Sequence, residues 1–128
     1  HRVDRRQRQM CIRDSYYVAK ITKGGSAIGW LQASKMHQKF YKDRGSDIMV
    51  MPMMQYRRDS EGNVTEKLYR ATSMVVGSQE SWKKWRDLRA NLSEAESAKA
   101  QKEYDAFTSL YNRNTELTVQ RKLCILSW

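Results

Sequence analysis

Asp47-Ile-Met-Val-Met-Pro-Met-Met-Gln-Tyr56, Arg57-Arg-Asp-Ser-Glu-Gly-Asn63 and Val64-Thr-Glu-Lys-Leu-Tyr-Arg-Ala-Thr-Ser-Met-Val-Val76 follow one another without a break. Two runs rich in Val, Ile, Met, Tyr and Thr flank a polar segment of Asp, Ser, Gly and Asn, the pattern of a β-hairpin closed by a turn. Pro52 lies in the middle of the first run and cannot donate to a ladder, so that strand is expected at a sheet edge. Met49, Met51 and Met53 alternate with Ile48, Val50 and Met54. Both faces of the edge strand are therefore apolar, which is unusual and implies a cover or a second chain.

Helical patterns lie on both sides of the hairpin. Upstream, Tyr16 to Thr22 is a β-prone run ended by Lys23-Gly24-Gly25. Ser26 suits the N-cap of a helix over Ala27 to Lys42, whose stripe is Trp30, Ala33, His37, Phe40 and Tyr41. Downstream, a helix is expected from Gln79 to about Leu92 on the stripe Trp82, Trp85 and Leu88. Ser93-Glu94-Ala95-Glu96 has the capping-box form, and it opens a further helix with Ala100, Tyr104, Phe107 and Tyr111 inside and an exit at Asn112-Arg113-Asn114. Thr115 to Leu126 reads as the last strand. The order β, α, β, β, α in two pieces, β predicts a single α+β domain of ferredoxin-like form. A winged-helix-like or irregular α+β domain is the alternative.

The N-terminal segment His1 to Ser15 stands apart. Arg5-Arg-Gln-Arg-Gln-Met-Cys-Ile-Arg-Asp14 resembles one reading frame of a transposase-type sequencing adapter, CGT CGG CAG CGT CAG ATG TGT ATA AGA GAC. The resemblance implies that residues 1–15 are not native, that the domain is 16–128, and that its natural N-terminus is missing. The formal charge is +10; without residues 1–15 there remain 19 basic and 12 acidic side chains, a net of +7. The domain stays basic, which favours nucleic acid, an anionic surface or an acidic partner. Cys11 falls within the segment, leaving Cys124 as the expected lone thiol. No run approaches the roughly 18 apolar residues of a membrane helix, so no membrane partner is expected.

Strict alternation, with Tyr17, Ala19, Ile21, Leu68, Val119 and Leu123 turned to the helices, puts Tyr16, Lys20, Lys67, Tyr69, Gln120 and Lys122 on the opposite, open face. Rings interspersed with cations on an open sheet form a surface on which unpaired bases stack. The layout is similar to an RNA-recognition module, although Lys67-Leu-Tyr-Arg-Ala71 lacks the Gly and second aromatic of that family's third-strand motif. Arg57 and Arg58 at the hairpin tip add phosphate contacts, with Asp59 and Glu61 offsetting part of their field.

Residues 18–35, opening with Val18-Ala-Lys-Ile-Thr-Lys-Gly-Gly-Ser26, resemble the first strand and turn of mobilisation relaxases. The His-hydrophobic-His metal motif of those enzymes is absent, so no activity or catalytic residue is carried over. Gly24-Gly25-Ser26 lacks the partners of a phosphate loop and reads as a simple turn. His37 on an apolar stripe reads as a packed residue, and Asp43 and Asp47 have no ligand at metal spacing. No nucleophile elbow occurs.

The expectation is thus a small basic domain, from a phage or mobile element, that binds single-stranded DNA or RNA through Tyr16, Lys20, Arg57, Arg58, Lys67, Tyr69 and Lys122. It needs no cofactor or metal, and no enzyme is supported. The alternative is an assembly subunit that pairs with a copy of itself or another chain through Ile48 to Met54. A relaxase-like fragment is the remote third reading.

Overall fold

The computed structural model describes residues 13–124. Its elements in chain order are β1 (Asp14–Ile21), α1 (Ala27–Lys42), β2 (Met49–Arg58), β3 (Val64–Val76), α2 (Gln79–Ala90), α3 (Glu94–Asn114) and β4 (Thr115–Leu123). The strands form one antiparallel sheet in the order β2-β3-β1-β4. This is the ferredoxin-like α+β arrangement, with the strand of Pro52 at the edge as its missing N–H requires.

Each helix begins where a hydroxyl can take an unpaired backbone N–H. Ser26, Ser78 and Ser93 accept from Gly29, Ser81 and Glu96, and Glu96 returns the bond to the Ser93 N–H, completing the capping box. The helix α3 ends at Asn114, within the expected exit. The Asn114 side chain donates to Leu110 O and Thr115 Oγ1 to Tyr111 O, so α3 stays helical to its end and passes directly into β4. The hairpin turn is closed by Asp59, whose Oδ1 accepts the Glu61 and Asn63 N–H groups at 2.9 Å. Gly62 there has φ +85°, a conformation that favours glycine.

The helices share one face of the sheet. Phe40 and Tyr41 of α1, Trp85 of α2 and Phe107 of α3 cluster with Ile48, Val50 and Val75. Edge-to-face ring contacts join them, Tyr41 to Trp85 at 4.8 Å and Phe40 to Phe107 at 5.5 Å between centroids. Full burial of each such side chain is worth about 1.5–3 kcal/mol. Arg44, just past α1, pairs with Glu103 of α3 and donates to Phe40 O, holding the two helices together at that end.

One finding concerns the N-terminal segment. β1 starts at Asp14, inside the segment 1–15 set aside on sequence, while residues 1–12 lie outside the described residues. Asp14 is buried and accepts from Gly77 N at 3.0 Å and from Trp82 Nε1 at 2.9 Å. Cys124 is disulfide-bonded, which corrects the expectation of a lone thiol.

Candidate nucleic-acid interface

Paired residues on neighbouring strands point to the same side, so the register assigns the faces. Tyr17, Ala19, Ala71, Ser73 and Val75 line the space beneath the helices. Their neighbours along each strand therefore occupy the open face. One row across the sheet is Met51, Met74, Tyr16 and Arg121; the next is Met53, Thr72, Val18 and Val119. The centre of this face is apolar, with Met51 and Met53 each 38% exposed and Val18 and Thr72 buried. Thr72 Oγ1 is buried with no hydrogen-bond partner among the described residues.

The sheet has three register shifts, and two of them, each a single extra residue, set the margins of this face. Gln55 pairs with Arg70 but Tyr56 with Leu68, so Tyr69 is an extra residue in β3. Freed from the ladder, its ring lies 3.8 Å from the Arg57 guanidinium carbon and 4.1 Å from that of Arg70. A hydrogen bond from Arg57 and the charges of Arg57 and Arg70 hold the Tyr69 phenol below its ordinary value. In β4, Val18 pairs with Val119 but Ala19 with Leu117, so Thr118 is extra, and its hydroxyl donates to Val18 O.

The second bulge corrects the sequence assignment of β4. Gln120 and Lys122 oppose Tyr17 and Ser15 and face the helices, and Lys122 Nζ donates to Ser15 Oγ at 2.8 Å. Val119 and Arg121 take the open face instead. Of the other expected residues, Tyr16 sits in the Met51 row and Lys20 lies 3.4 Å from Glu116. Such an exposed pair contributes little to stability but offsets the lysine's charge. Arg58 donates to Gly62 O at 2.6 Å and closes the turn, while Lys67 is exposed on the same hairpin. Sequence reasoning did not place Met51, Met53, Met74, Arg70 or Arg121 on this face. The spacing of Met49, Met51 and Met53 was a usable signal; the bulges left none.

Among the described residues, no group of three or more His, Cys, Asp or Glu side chains could hold a metal, and no helix is long and apolar enough to cross a membrane. No family model matches the chain, and comparison with curated proteins and with solved structures finds no significant match. The class is defined by the fold alone, a ferredoxin-like α+β domain whose described helices all pack on one face of the sheet.

Proposed function

We propose that the domain binds single-stranded nucleic acid across the open sheet face. The observation that carries this reading is Tyr69, displaced from the ladder with two guanidiniums against its ring, on a face over which no helix of the described residues lies. Tyr16 and Tyr69 offer rings for stacking bases, and Arg57, Arg70 and Arg121 offer cations for phosphates. Lys20 contributes less because Glu116 faces it, and Lys122 contributes nothing because it points to the helices. Three cations meeting three phosphates on a single strand give a slope of log affinity against log salt of about −2. Tyr69→Ala is expected to weaken binding of an unstructured 20-mer by about 1–3 kcal/mol. Binding that is absent, or insensitive to salt, ends this reading.

A second reading rests on the edge. Met49, Met51, Met53 and Met54 are between 38% and 53% exposed on a strand that has no outer neighbour among the described residues of the sheet. An apolar unpaired edge is a template for another strand, and self-association through it is the expected result. Sedimentation across a concentration series tests this, and Met53→Lys should suppress any oligomer. A monomer at all concentrations removes the reading.

A further inference from the structure

The helix-facing side of the sheet has a floor of small residues. Ser15 and Ala19 of β1 and Ser73 and Ala71 of β3 lie on the side of Tyr17. Above them the helices carry Trp30, Tyr41, Trp85 and Phe107. Small groups facing large ones normally interdigitate and close the gap. Here the gap stays open as a cavity of about 580 Å³ bounded by floor and rings together. That volume falls in the range of roughly 300–1,000 Å³ that small-molecule sites occupy. Leu117 and Tyr104 also line it and are 54% and 48% exposed, so they mark its opening to solvent.

The charge around the cavity has one sign. Arg13, Arg86, Arg89 and Lys122 reach the lining and, among the described residues, no Asp or Glu does. None of these four is in an ion pair among the described residues. The inner end is neutral. Burial holds the His37 imidazole down at about 4 and pushes the Tyr41 and Tyr111 phenols up to about 12, so all three are uncharged near pH 7. The Arg89 charge reaches inward far enough to oppose the rise at Tyr41.

We propose that this cavity binds a small molecule consisting of a flat aromatic ring system and one carboxylate, with the ring between the Ala19, Ala71 and Ser73 floor and the aromatic side chains above it, and the carboxylate toward Arg86 and Arg89. Aromatic walls favour a flat ring through offset and edge contacts. The guanidinium fork matches a carboxylate in two parallel hydrogen bonds, which an ammonium cannot do. A neutral inner end beside a cationic mouth fixes the orientation, ring inward and charge outward. The site lies on the opposite side of the sheet from the nucleic-acid face and does not depend on it.

Naphthalene-2-carboxylate, titrated into the full chain and followed by tryptophan fluorescence and calorimetry, tests the proposal. One saturable site is expected, with naphthalene-2-carboxamide about tenfold weaker. Arg86 and Arg89 are exposed on α2, so the R86Q/R89Q double variant should keep the thermal midpoint while losing about tenfold in affinity for the acid. Ala71→Leu should fill the floor and abolish binding of both probes. No saturable binding of the acid, equal affinity for acid and amide, or unchanged affinity in R86Q/R89Q would overturn the proposal.

Discussion

A Cβ on Gly25 would meet the backbone oxygen of Asn114 at 2.5 Å. The turn between β1 and α1 is therefore docked directly onto the end of α3. Thr22 N donates to Asn114 O, Thr22 Oγ1 to Arg113 O and Ser26 N to Asn114 Oδ1, each at 3.0 Å. The N-terminus of α1 is thus occupied by protein groups, in keeping with the reading of Gly24-Gly25-Ser26 as a turn.

Gly29 repeats the close approach with a different partner atom. A Cβ there would lie 2.5 Å from Asn114 Cγ, which is side chain and not backbone. Gly29→Ala should destabilise by about 1–3 kcal/mol through overpacking, set against a helix-propensity gain of up to about 1 kcal/mol. In an Asn114→Ala background the clash disappears, and Gly29→Ala should become neutral or stabilising. Gly25→Ala should stay destabilising in both backgrounds, because its obstacle is the main chain. Urea midpoints of the three single and two double variants decide this.

Asp14 ties β1 to the start of α2 through Gly77 and Trp82. Asp14→Ala leaves a backbone N–H and an indole N–H without an acceptor, at about 1–3 kcal/mol for each group that stays buried. Loss of stability together with a shift in tryptophan emission is expected. An unchanged denaturation midpoint would show that the fold does not use this carboxylate.

Thr72 carries a hydroxyl that is buried without a partner among the described residues. Thr72→Val keeps the shape and removes the desolvated oxygen, so it should stabilise by about 1 kcal/mol. The variant also makes the open face more apolar. A loss of stability would mean that the hydroxyl has a partner in solution.

The parts of the fold written locally were legible in the sequence. A Ser before each helix, a Gly-Asn turn, and a proline that cannot serve a central strand are decided by a few adjacent residues. Tyr69 and Thr118 were not legible, because whether a residue is extra depends on the opposing strand. One missed bulge reversed the faces of Val119, Gln120, Arg121 and Lys122 and moved a lysine from the open face to the cavity. The cavity was hidden for a related reason. Ser15, Ala19, Ala71 and Ser73 become a floor only once β1 and β3 are paired.

His37 gives a pH dependence whose sign follows from its surroundings. Its ring stacks on Phe107 at 4.4 Å between centroids. Tyr111 OH donates to Ser34 Oγ at 3.3 Å, leaving its oxygen to accept from His37 Nδ1 at 3.1 Å. Burial lowers the imidazole from 6.5 to about 4. Between those values the unfolded chain binds a proton that the folded chain refuses, so stability rises with pH through this window. The contribution is fully present above about pH 6.5 and is lost as pH falls toward 4. From pH 7.5 to 5.0 the loss is about 2 kcal/mol, in a range where most carboxylates remain ionised. His37→Phe keeps the stacking but has nothing to titrate, so its stability should change far less over the same interval, even though losing the Tyr111 bond lowers it at every pH. Parallel urea titrations of both proteins at the two pH values measure the difference, and equal slopes would show that His37 is protonated as readily in the fold as outside it.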